Sequence, residues 1–101
     1  MYIGVARFDL FIPASTSLKD KRQVVRSVTA TIRNKYNVAV AEVDFQDLWQ
    51  RSAIGVSCVS ESAGQCRKVL HEVEKVVGRS VIGFSAEIVE RSIDVVAMED
   101  M

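Results

Sequence analysis

Residues 37–59 read Asn37-Val-Ala-Val-Ala-Glu-Val-Asp-Phe-Gln-Asp47-Leu-Trp-Gln-Arg-Ser-Ala-Ile-Gly-Val-Ser-Cys-Val59. Two runs rich in strand formers, 38–45 and about 49–59, flank a short polar turn at Gln46 and Asp47. Two such runs so close together signal a hairpin. What lies on either side of that hairpin decides the fold.

Upstream, Ser17 and Asp20 fit the pattern of a capping box, so a helix is expected to open at Ser17. Val25, Val28, Ile32 and Tyr36 recur at helical spacing, with Leu18 earlier and Asn37 as a left-handed stop. Before the helix, residues 2–12 alternate as a strand. Ile3, Val5 and Phe11 point one way, and Tyr2, Phe8, Leu10 and Ile12 the other. Pro13 removes a donor and ends the run.

Downstream, Ser62 and Gln65 open a second helix, whose stripe is Cys66, Val69, Leu70, Val73, Val76 and Val77. Gly78 is the expected stop, and a last strand is expected from about Ser80 to Glu90. The predicted order is β-α-β-β-α-β, a ferredoxin-like α+β sandwich with two helices on one face of a four-stranded antiparallel sheet. Residues 1–92 read as a single domain and 93–101 as a short tail with an acidic end.

The chain has 101 residues and 49% apolar residues, one domain's worth with enough core to fold. Thirteen basic and thirteen acidic residues cancel, which argues against indiscriminate coating of nucleic acid but leaves room for a local basic patch. Cys58 and Cys66 form no CxxC pair, and no secretory signal precedes the first strand, so both read as reduced thiols of a cytoplasmic protein. No apolar run reaches the roughly 18–20 residues that cross a membrane, so no membrane partner is expected.

The first strand is apolar on both faces. The last reads nearly so, with Ile82, Phe84, Ala86 and Ile88 on one side and Val81 and Val89 on the other. A sheet with one wet face should alternate apolar and polar residues. The helix-free face is therefore expected to be covered, by a second copy in a homodimer, by the tail or by a partner protein. The small residues Ala53, Gly55 and Ser57 would permit close approach.

Lys19, Arg22, Arg26 and Arg33 fall within one sector of the first helix, at roughly 100° per residue. Lys19, Lys21 and Arg22 also crowd its first turn, against the helix dipole, at a cost of about 0.3–1 kcal/mol each. Folding alone would not select that placement. With the hydroxyls of Ser15, Thr16 and Ser17 and the free amides of a helix start, it suits a phosphate. The ordinary alternative is a solvated helix face.

Leu48, Trp49 and Arg51 are candidate interface residues, with Trp49 either an anchor or a plug at the end of the core. Strand alternation puts Glu42 and Asp44 on one face with Asp47 in the turn, but the spacing matches no known metal loop. Pairing of these carboxylates with the first helix or Arg51 is the expectation, and no metal or cofactor is implied. His71 lacks a ligand cluster, and no Gly-rich phosphate loop, G-x-S-x-G or H-E-x-x-H occurs. Acylphosphatases share the expected fold but carry a Gly-rich loop with an anion-binding Arg where this chain reads Pro13-Ala-Ser-Thr-Ser17. The third strand lacks the aromatic residues an RRM uses for base stacking.

The block Phe11-Ile-Pro13 followed by Ser17-Leu-Lys-Asp-Lys-Arg22, together with Asn37–Asp44 and Gln46-Asp-Leu-Trp-Gln-Arg51, resembles the YlxP-like family of small bacterial proteins. Phe45 stands where that family often has a His. The family is a domain of unknown function, and its genes often neighbour those of translation initiation and ribosome-maturation factors. The resemblance implies a role around RNA or a ribosomal subunit, by association only. The leading expectation is a non-enzymatic, RNA- or ribosome-associated accessory factor. The alternatives are a protein-interaction or regulatory module and, third, a small phosphoester-binding enzyme.

Overall fold

The computed structural model describes residues 1–100. The elements run β1 (Tyr2–Phe11), α1 (Leu18–Lys35), β2 (Ala39–Asp44), β3 (Arg51–Ser60), α2 (Ala63–Ile82) and β4 (Glu87–Ala97), then a 3₁₀ turn at Met98–Asp100. The sheet order is β2-β3-β1-β4 and every pairing is antiparallel. The expected ferredoxin-like topology is therefore present.

The period-2 pattern of β1 explains the layering. Ala6, Phe8 and Leu10 are buried, as are their β3 neighbours Ile54, Val56 and Cys58. Against them pack Val24, Val28 and Ile32 of α1 and Leu70, Val73 and Val77 of α2. Gly4 makes the approach of α2 to β1 possible. A Cβ there would stand 2.8 Å from Leu70 Cδ1 and 3.0 Å from Cys58 Sγ.

Both helices start where their caps predict. Ser17 Oγ accepts from the Asp20 amide at 3.1 Å, and Ser62 Oγ from the Gln65 amide at 3.2 Å. The reciprocal half of the first box differs from expectation. Asp20 Oδ2 reaches past Ser17 and accepts from the Thr16 amide (3.0 Å) and the Thr16 hydroxyl (2.7 Å). The stop at Asn37 is also different: α1 ends at Lys35 and leaves through an extended Tyr36, φ −133°.

The end of α2 is the largest correction. Gly78 does not stop the helix, because Val81 carries the buried stripe of Val76 and Val77 past it. The stop is a Schellman motif: Ala86 N donates to Val81 O and Ser85 N to Ile82 O, each at 3.0 Å. Ser85 takes the left-handed conformation, φ 55°, that usually marks a glycine. β4 therefore lies at Glu87–Ala97 rather than 80–90, and residues 93–97, read as tail, pair with Tyr2–Ala6. Val81 and Ile82 are helical, so they say nothing about the sheet's faces.

Candidate nucleic-acid interface

The helix start is not an open phosphate cradle. Ser15 is buried and its Oγ donates to Ser17 O at 3.1 Å. Ser17 Oγ is engaged as the cap. The Asp20 carboxylate occupies the mouth of the helix, its pKa lowered first by the Thr16 hydroxyl and then by the Thr16 amide. The chain's own acid takes the place expected for an anion.

Lys21, expected among the exposed cations, is 1% exposed. Its Nζ donates to Phe45 O (2.7 Å) and Gln46 O (2.9 Å) and lies 3.1 Å from Glu42 Oε2. Lys21 thus fastens the β2–β3 loop to α1. Its burial also turns the helix, so that Lys21, Val24, Val28 and Ile32 face roughly opposite the basic sector.

Lys19, Arg22 and Arg26 are exposed, and among the described residues none of them makes an ion pair. Arg33 shares the sector, but its Nη2 donates to Val40 O at 2.9 Å and so ties α1 to β2. Three of the predicted cations therefore form a free face, one is half committed and one is internal.

A bulge separates the carboxylates that strand alternation placed together. Glu42 pairs with Ile54, whereas Asp44 pairs with Ala53, leaving Val43 as the extra residue. Glu42 turns to Lys21 and accepts from Ser52 Oγ at 2.7 Å. Asp44 turns to Arg7, 3.2 Å away. Arg7 Nε also donates to Asp9 Oδ1 at 2.7 Å, so Asp9 and then Asp44 raise the guanidinium pKa further. Asp44 is held below the ordinary carboxylate range, first by the Phe45 amide and then by Arg7.

Two guanidinium groups lie over the Phe45 ring, Arg51 at 4.8 Å and Arg7 at 5.8 Å from its centroid. Sequence reasoning named Arg51, named Phe45 only as a departure from the family pattern, and missed Arg7. The available signal was Arg7 and Asp9 two apart, on one face of a strand. Leu48 and Trp49 are exposed on the β2–β3 loop, so Trp49 is neither part of β3 nor a plug of the core. His71 is exposed, 3.8 Å from Glu74.

The helix-free face is only partly apolar. Val5, Val43 and Val59 are exposed, and Val5 and Val43 border a shallow depression over Gly55 with Ala39 and Ala41. On β4 the same face carries Glu87, Glu90, Ser92 and Asp94, read from the β1–β4 register. The expectation of a nearly apolar last strand fails there because the strand lies further along the chain. The end of the chain extends this strand through Ala97.

Residues 3–95 match the model of a family described as Protein of unknown function (DUF503). The chain is 39% identical over 71 residues to a Bacillus subtilis (strain 168) protein called Uncharacterized protein YlxP, covering 70% of this chain and 77% of that one. Among solved structures, it resembles a C-terminal segment of the alpha subunit of aIF2 from Pyrococcus abyssi (TM-score 0.53, 10% identity, 97% of this chain). It also resembles the Bacillus subtilis YXEP protein, a dinuclear metal binding peptidase of the M20 family (TM-score 0.59, 6% identity, 92% of this chain). The chain spans 51% of the first structure and 25% of the second, and at these identities the likeness concerns the fold alone. No helix among the described residues is long and apolar enough to cross a membrane.

Proposed function

The chain belongs to the DUF503 family, and from the outer surface of α1 we propose that it is a non-enzymatic cytoplasmic factor that holds RNA, in or near a ribosomal subunit. The observation that carries this reading is the clustering of three exposed cations on one face of α1. Arg7, Lys21 and Arg91 each lie against a carboxylate. Lys19, Arg22 and Arg26 share one exposed helix sector with no acidic partner among the described residues. Arg7 and Lys21 are committed to carboxylates and Arg33 to a backbone carbonyl, whereas these three lie together on one helix face, open to solvent or to a phosphate.

The test is co-sedimentation with ribosomal subunits across a salt series, beside a Lys19→Glu/Arg22→Glu/Arg26→Glu variant. Arg33 is left intact because it supports β2. Three phosphate contacts give a log–log salt slope of about −2 on single-stranded RNA. Loss of co-sedimentation in the variant supports the reading. Salt-indifferent binding, or equal binding by the variant, overturns it.

A second reading rests on Val5, Val43 and Val59, exposed on the helix-free face. A second copy packed there would cover the apolar half and leave the acidic β4 side in water. Equilibrium sedimentation showing a dimer that Val43→Asp dissociates would support it. A monomer across the micromolar range would remove it.

A further inference from the structure

We propose that Trp49 and Arg51 form a stacking site for an unpaired base, with Arg51 taking the adjoining phosphate. This inference rests on the RNA reading above and names the form of RNA that the surface takes.

The β2–β3 loop is built to display its tip. Lys21 fixes its first half through the Phe45 and Gln46 carbonyls. Gln50 fixes its second half: its O accepts from Ile12 N at 2.8 Å, and its Nε2 donates to Pro13 O at 3.0 Å. Leu48 N closes a turn on Phe45 O at 3.0 Å, and Phe45 adopts a left-handed φ of 61° to begin it. Backbone strain and a buried lysine are thus spent on a loop whose tip buries little. Leu48 is 48% exposed and Trp49 54%.

Charge decides the occupant. Residues Asp47–Arg51 line an open depression, and Arg51 has no carboxylate partner among the described residues, unlike Arg7. Its guanidinium lies over the Phe45 ring, 4.8 Å from the centroid. The Lys21 and Gln50 tethers put this loop at the N-terminal end of α1, the end that carries Lys19 and Arg22. An exposed indole beside unpaired cations suits a π-face linked to a phosphate. Asp47 is the one acidic side chain of the depression, and it disfavours a second phosphate there. A single extruded base fits better than a continuous stacked strand. An A-form duplex keeps its bases inside and offers Trp49 nothing to stack on.

Trp49 is the chain's only tryptophan, so its fluorescence reports the site directly. The experiment titrates the full chain with an unstructured RNA of about twelve nucleotides and with the same strand annealed to its complement. The expected result is quenching by the single strand but not by the duplex. Trp49→Ala should weaken single-strand binding roughly ten-fold, and Trp49→Phe should restore most of it. If the strand binds with the Lys19/Arg22/Arg26 dependence while Trp49 stays silent and Trp49→Ala binds equally, the stacking site is overturned and the helix reading stands. If neither RNA binds at any salt, both fall. Both residues tested at position 49 sit on the surface, so loss of folding does not confuse the outcome.

Discussion

Lys21 Nζ lies 3.1 Å from Glu42 Oε2, a pair joining the first turn of α1 to β2 inside the molecule. The ammonium also takes two carbonyls of the β2–β3 loop, so it is fully satisfied despite its burial. Lys21→Met should cost about 3 kcal/mol, because it strands Glu42 and both carbonyls. In urea denaturation the Lys21→Met/Glu42→Gln double variant should lose clearly less than the sum of the singles. Strict additivity would show that the pair is not coupled.

Ser85 holds a left-handed φ of 55° at the C′ position of the Schellman motif, a region that penalises any side chain. Ser85→Gly should raise stability by about 0.5–1 kcal/mol, the conformational relief exceeding the gain in unfolded-state freedom. An unchanged or lowered midpoint in thermal unfolding would mean that the Ser85 side chain stabilises the turn.

The same residue explains much of what the sequence concealed. Element types and their order are legible because Phe8, Leu10, Val28, Ile32, Leu70 and Val73 repeat with the periods of their elements. The end of α2 is not, since a glycine inside the helix offers a false stop while the true left-handed residue is a serine. That displacement moved the last strand and, with it, the reading of the open face. In the candidate site, the exposure of Lys19, Arg22 and Arg26 follows from helical spacing. The burial of Lys21 does not, because its acceptors are carbonyls some 25 residues away in the chain. The Glu42/Asp44 divergence needed the bulge at Val43, which alternation cannot foresee.

Gly4 sits across from Cys58 in the sheet and beneath Cys66 and Leu70 of α2. Gly4→Ala should destabilise by about 1–3 kcal/mol through overpacking. The Cys58 thiol pKa is raised, first by burial and then by the adjacent Cys66. Cys58 should therefore react slowly with a disulfide reagent at neutral pH in the native protein and fast in urea. Gly4→Ala should quicken the native reaction by opening the joint between α2 and the sheet. Native labelling as fast as that of the unfolded chain would contradict this packing.

Asp20 and Asp44 both titrate below the ordinary carboxylate range, Asp20 chiefly through Thr16 and Asp44 chiefly through the Phe45 amide. A carboxyl whose folded pKa is depressed binds its proton more readily in the unfolded chain. Its contribution is therefore complete above about pH 4 and is lost as pH falls through the folded value. Asp20→Asn and Asp44→Asn should each lower the unfolding midpoint at pH 7, and the gap from the parent should close as pH drops below 4. Both groups are open to solvent, so high salt should narrow the Asp44 gap, where Arg7 supplies part of the shift. It should leave the Asp20 gap nearly intact, because hydrogen bonds from Thr16 dominate there. Parallel parent and variant curves down to pH 2 would show that neither carboxylate is held as the geometry requires.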